Sequence, residues 1–173
     1  MKKEIKKADM KGIVGVSGEF FVAAELSQRG IVATMTMKNT PSIDILAANL
    51  STGQAANIQV KTMSIGNNAG WRLGKKDENS SGIANHYYVF VDLKGPGILP
   101  EYIIVPQNEL AKLIKKLHKK WLSGTKKDGS ARKDTDIRTF DPNRNKDCKK
   151  LADEYRDNWD TLGLWPDGST KVK

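Results

Sequence analysis

The sequence holds one cysteine, Cys148, and only two histidines. A lone thiol excludes an internal disulfide framework, and no Cys/His cluster has the spacing of a zinc site. Long apolar runs are missing too. Hydrophobic residues fill 38% of the 173 positions, and no run approaches the roughly 20 residues that a membrane-spanning helix needs. The opening Met1-Lys-Lys-Glu-Ile-Lys-Lys carries charge with no apolar block behind it. No secretory leader is therefore expected, and the cytoplasm is the expected compartment. Acidic residues are in short supply: 20 Asp and Glu stand against 29 Lys and Arg, for a net charge of +9 and a pI near 9.6. From Ala111 onward 17 basic and 10 acidic side chains carry +7 of that +9. Such an excess draws polyanions by releasing their counterions, and nucleic acid is the commonest such partner. The plainer alternative is a solvated basic surface kept for solubility.

The pattern along the chain reads as alternating elements. Ser17 to Arg29 predicts a helix, with Ser17 as N-cap, Gly30 as the stop, and Phe20, Phe21, Ala24 and Leu26 as its buried face. The β-branched stretch from Ile31 to Met37 predicts a strand, and Lys38 to Ser42 a turn. Two further strands, Ile43 to Ala48 and Asn57 to Ser64, flank a Gly-containing turn. The polar, Gly-rich segment from Ile65 to Ala84 reads as a long surface loop with room for one short element. Strands resume at Tyr87 to Asp92 and Tyr102 to Val105, before an amphipathic helix from Gln107 to Leu122. Residues Thr125 to Asn145, nearly free of aliphatics, read as a loop or partly disordered segment. A last helix is expected from Lys146 to Trp159. The expectation is one α/β or α+β domain: a core over residues 1–122 and a basic C-terminal extension over 123–173, loop plus helix, packed on it.

Chemistry concentrates in Ser42-Ile-Asp44 and Asn57-Ile-Gln-Val-Lys-Thr62. Alternate strand residues share a face, so Gln59 and Lys61 point together while Ile58 and Val60 anchor the core. If the strand carrying Asp44 pairs with this one, Asp44 reaches the same place. A carboxylate, a second oxygen donor and a lysine close together suit a divalent cation acting on a phosphodiester.

Those motifs, together with Gly18-Glu-Phe-Phe-Val-Ala-Ala-Glu-Leu-Ser-Gln-Arg-Gly30, resemble the PD-(D/E)xK nuclease superfamily, and within it the bacterial and intron-encoded endonucleases with a Gln-x-Lys third motif. The similarity spans about Ser17 to Thr62, with weaker support from Tyr87 to Pro106. It implies a restriction-endonuclease-like core, a mixed central sheet flanked by helices. It also implies a Mg²⁺-dependent DNA endonuclease, with Mn²⁺ able to substitute, acting as a homodimer so that two sites cut two strands. By position, the catalytic set is Glu19, Asp44, Gln59 and Lys61. The metal set is Glu19, Asp44, Gln59 and the Val60 carbonyl. Two positions depart from the pattern. Ile43 stands where the motif has proline, and Gln59 stands where it has a carboxylate, which shifts negative charge onto Glu19. Glu25 is the competing helix carboxylate and lies on a different face of the helix from Glu19.

Around this set, Trp71, Arg72, Lys75 and Lys76 form a basic cluster with an aromatic, suited to phosphates and a base or sugar. Lys38 and Asn39 would flank the cleft. Lys126, Lys127, Arg132 and Lys133 read as a flexible phosphate-binding arm, His86 as a packed residue and His118 as part of a solvated helix face. The alternatives to an enzyme are a nucleic-acid-binding protein that kept the fold without turnover, and a protein-interaction or toxin-immunity component that retains the scaffold.

Overall fold

The computed structural model describes residues 7–37 and 40–165. It is a mixed α+β arrangement of a five-stranded sheet, a two-stranded sheet and three α-helices. Among the described residues no helix is long and apolar enough to cross a membrane.

Helix α1 runs from Lys7 to Gln28, so it begins well before Ser17. Ser17 lies inside it, its hydroxyl donating to the Val14 carbonyl at 2.8 Å, and it caps nothing. Glycine costs helix propensity, but here it permits close packing that returns more. A Cβ on Gly18 would sit 2.0 Å from Thr62 Oγ1 on the sheet. The inward stripe is therefore Gly18, Val22 and Leu26, the last two fully buried. Phe20 is rotated by about 200° from Gly18 and is 61% exposed, contrary to the expected buried face. Ala24 is also exposed and Phe21 half-buried. Gly30 ends the helix as expected, at φ 76°, with the Ile31 amide donating back to Leu26.

The large sheet has the order β1-β2-β3-β5-β6. Its strands are β1 (Val32–Met35), β2 (Ile45–Ala48), β3 (Ala55–Met63), β5 (His86–Asp92) and β6 (Glu101–Pro106). Pairing is antiparallel except between β3 and β5. A parallel pair needs a crossover rather than a tight turn, and the chain from 64 to 85 supplies it. Ile58 and Val60 on β3 join Val22 and Leu26 of α1 in one apolar layer. On the opposite face Met63, Tyr88 and Phe90 pack against Leu110 and Ile114 of helix α2 (Gln107–Leu122).

Two segments read as loops hold structure. Strand β4 (Trp71–Gly74) pairs antiparallel with β7 (Ile137–Phe140), and a 3-10 turn, Lys75–Glu78, follows β4. The partners lie far apart in sequence and each strand has four residues, so neither has a local pattern strong enough to read. The pairing brings Phe140 against Phe90 (centroids 4.6 Å apart) and Trp71. Buried Arg138 meets Glu78 at 2.6 Å. The basic segment is tied down as well. Lys126 and Ser130 close a turn, while Arg132 lies over the Trp121 ring and donates to its carbonyl.

Helix α3 spans Lys146–Tyr155, capped by the Asn145 side chain on the amides of Asp147 and Cys148. It stops short of Trp159 because Arg156 is extended and Asp157 has φ 50°. Trp159 instead starts a 3-10 turn and packs edge-on to Tyr102, with the Arg29 guanidinium 4.8 Å from its ring centre.

Candidate functional site

The β2–β3 register pairs Ile45 with Ile58, so Asp44, one residue earlier, lies opposite Gln59. The Asp44 amide continues that ladder by donating to the Ile58 carbonyl at 2.8 Å. Its carboxylate turns back over β3: Oδ2 accepts the Val60 amide at 2.7 Å and the Gln59 side-chain amide. A carboxylate only accepts, so Gln59 presents its NH₂ to Asp44. That leaves Gln59 Oε1 with no hydrogen-bond partner among the described residues.

The turn before Asp44 is fixed from outside. Ser42 has φ 60°, an uncommon conformation for a residue with a Cβ. Its carbonyl accepts from His86 Nε2 at 2.9 Å, while His86 Nδ1 meets Ser81 Oγ at 2.8 Å. A carbonyl cannot donate, so the proton sits on Nε2 and Nδ1 accepts from the serine. Burial pushes the His86 pKa down, in keeping with a neutral ring. Thr36 clamps the same turn through the Ile43 carbonyl at 2.7 Å.

Glu19 arrives from α1. Gly18, one residue before it, lets the helix lie close on Thr62, one residue after Lys61. Partial burial raises the Glu19 pKa, the neighbouring Asp44 raises it further, and Lys61 opposes both. Burial depresses Lys61; Asp77, Asp44 and Glu19 pull it back up, while Lys76 adds to the depression. Glu19, Asp44 and Lys61 therefore lie within electrostatic reach of one another, and Gln59 is bonded to Asp44. Glu25 is elsewhere, paired with Arg29 on its own helix.

Two carboxylates and an amide oxygen are hard donors of the kind magnesium accepts. The mutual repulsion of Glu19 and Asp44 is what a cation between them would relieve. Among the described residues no group of three or more His, Cys, Asp or Glu side chains is arranged to hold a metal ion. The fit therefore depends on Gln59 and backbone oxygen completing the set. Val60 turns its side chain into the core and its amide to Asp44.

The expected DNA-contact residues divide. Trp71 is only 6% exposed, its indole donating to the Val91 carbonyl at 3.2 Å between Phe90 and Phe140, so it belongs to the core and not to the exposed surface expected of it. Arg72 is exposed on β4. Lys75 is exposed and paired with Asp134 at 2.8 Å. Lys76 reaches towards Ser42 Oγ, 3.4 Å away, and so borders the site. Lys38 and Asn39 lie outside the described residues. His118 is not on a solvated face: it stacks on Trp121 and meets Asp134 at 2.8 Å, with 11% of its side chain exposed.

Sequence reasoning missed Asp77 and Tyr88. Asp77 is 5% exposed, with Oδ2 accepting the Gly74 amide and Oδ1 the Tyr88 hydroxyl, each at 2.7 Å. Nothing local marks it, because it sits inside the charged run Lys75-Lys76-Asp77-Glu78. Comparison of the chain with protein-family models, with curated proteins and with solved structures gives no match.

Proposed function

We propose that the chain is a divalent-metal-dependent DNA endonuclease built on a restriction-endonuclease-like core. The observation that supports this reading is the bond between the Gln59 amide and the Asp44 carboxylate across the β2–β3 pairing, with Glu19 and Lys61 within electrostatic reach of Asp44. Glu19, Asp44, the Gln59 amide oxygen and the Val60 carbonyl would hold Mg²⁺ or Mn²⁺. When bound, such a cation supplies Lewis acidity for the attacking water and neutralises charge growing on the phosphate.

The chain's own residues do the rest. The Val60 and Gln59 N–H groups lock one Asp44 oxygen and so fix the rotamer of its carboxylate. Lys61 supplies a cation whose burial strengthens its pull on a phosphoryl oxygen. Lys76 and Arg72 neutralise backbone phosphates on either side, an affinity that weakens with salt. A second copy of the chain would bring a second site to the other strand.

The test is cleavage of supercoiled plasmid with Mg²⁺ or Mn²⁺, beside Asp44→Ala and Lys61→Ala. Nicking that both substitutions abolish is the expected result. A second reading is a DNA-binding protein without turnover. It is favoured by Gln59, a neutral side chain that bonds Asp44 and adds no negative charge to the cation site. Salt-sensitive binding with no nicking in either metal selects that reading, and absence of binding at low salt overturns both.

A further inference from the structure

A cavity of about 630 Å³ opens between α2, β7 and the start of α3, a size that takes small ligands. None of its lining residues belongs to the Glu19–Lys61 site. The gap has a topological origin. Among the described residues β7 has a strand partner, β4, on one edge only, and Ile137 and Thr139 of β7 line the space left beside it. Ile114 and Leu117 of α2 and Cys148 of α3 give the cavity an apolar floor.

Polar groups with unused hydrogen-bonding capacity line the rest. The Thr139 hydroxyl and the Trp121 indole N–H have no partner among the described residues. The Asn145 side-chain oxygen is spent on the amides of Asp147 and Cys148, which leaves its NH₂. His118 Nε2 faces the Asp134 carboxylate at 2.8 Å and so carries the proton, leaving Nδ1 of a neutral ring to accept. The charge at the mouth is positive. Arg144 is exposed, with its Nε 3.9 Å from the only lining carboxylate, Asp141, whose Oδ1 is already taken by the Asn143 and Arg144 amides. Arg72 stands opposite Thr139 in the β4–β7 register, and both are exposed, so the basic surface continues from the cavity onto β4.

We propose that this cavity is a second nucleic-acid contact, which takes one unpaired nucleotide of a DNA strand. The base lies over Ile114, Leu117 and Cys148 and meets donors and an acceptor at its edge; its phosphate meets Arg144, and the next phosphate Arg72. An acyl chain would leave the polar groups unpaired, and a simple anion would leave the apolar floor unused. A base held in a duplex is stacked and paired, so it cannot enter. The proposal rests on the DNA-binding part of the nuclease reading and not on turnover, and it names the substrate class as DNA with an unpaired stretch.

The test is binding in EDTA of a short oligothymidylate, of its duplex with oligodeoxyadenylate, and of dTMP. Thr139→Trp fills the cavity from an exposed position and should weaken single-strand binding by about 10-fold, the scale of losing one base contact. Arg144→Ala should weaken it as well and lower its salt slope by about 0.7, as expected for one phosphate of a single strand. Duplex binding by both variants should match that of the parent. A localising readout does not depend on either variant: 5-bromodeoxyuridine in the oligonucleotide, irradiated and mapped by mass spectrometry, should attach within residues 114–121 or 137–148.

Equal losses for single strand and duplex overturn the proposal, because they reduce these residues to general phosphate contacts. So does single-strand affinity unchanged in Thr139→Trp, or attachment only outside those two segments. Binding of dTMP as tight as that of the oligonucleotide also overturns it, by making the cavity a site for free nucleotide. If the parent never nicks plasmid, the metal-dependent reading fails, and the binding and attachment results still decide the cavity.

Discussion

Replacing Gly18 with alanine tests the packing that delivers Glu19. The added Cβ would lie 2.0 Å from Thr62 Oγ1 and 3.0 Å from Thr62 Cβ and Cγ2, where ordinary contact begins near 3.4 Å. The difference, 3.4 minus 2.0, asks α1 to retreat by about 1.4 Å or Thr62 to turn. Turning about χ1 leaves the Thr62 Cβ at 3.0 Å and forfeits the hydroxyl bond to the Gly15 carbonyl. Overpacking of this kind costs about 1–3 kcal/mol, against which alanine gains about 0.8–1.0 kcal/mol in helix propensity. Gly12, on the same helix, has nothing within 4 Å of its Cβ position. Gly12→Ala should therefore keep the whole propensity gain, and the two variants should differ by about 1–3 kcal/mol, with Gly18→Ala the less stable. Urea unfolding, read at the midpoint with an unchanged slope, measures this. A retreat of order 1 Å at Glu19 should also lower cleavage on the order of 100-fold. Thr62→Ala in the Gly18→Ala background should recover part of both losses, because two of the three clashing atoms are gone. Equal stability of the Gly12 and Gly18 variants, with cleavage intact, would refute the packing argument.

Glu19 carries a pH signature. Its pKa is raised in the folded state, so the folded chain holds a proton that the unfolded chain has released. The stability this gives is full below the ordinary glutamate value and is lost as pH rises through the folded value. Glu19→Gln should thus gain stability over the parent as pH rises through that window, while abolishing cleavage. Thermal melts across the window check it, and Mg²⁺ should narrow the gap; a gap that does not change with pH counts against the assignment. Trp71→Ala should cost about 3–5 kcal/mol as a core truncation, whereas Trp71→Phe should leave DNA affinity at fixed salt unaltered. Loss of affinity in a well-folded Trp71→Phe would return Trp71 to the binding face. Lys76→Glu and Arg72→Glu should each weaken DNA binding and lower the salt slope by about 0.9 for each phosphate no longer neutralised. Lys75→Ala should do less, since its ammonium is already paired with Asp134. Salt titrations of DNA binding separate these cases.

Much of the large sheet was legible in the residue order, because β1, β2, β3, β5 and β6 carry period-two or β-branched patterns between clear turns. So was the juxtaposition of Gln59 and Lys61, which follows from alternation along one strand. The sequence also determined the positive charge and the absence of a disulfide framework. What it did not determine lies in contacts between distant segments. Ser17 looks like a cap only until the helix is seen to continue through it, by way of Gly18, which matters because Thr62 lies beneath it. Trp71 looks like a DNA contact until β7, more than sixty residues later, covers it with Phe140. Asp77 lies in a run of charged residues, yet it is buried, with the Gly74 amide and the Tyr88 hydroxyl on its carboxylate. Periodicity reports which face of an element is apolar, but it cannot report which neighbour covers that face. Those pairings are set by the free energy of the whole packed chain.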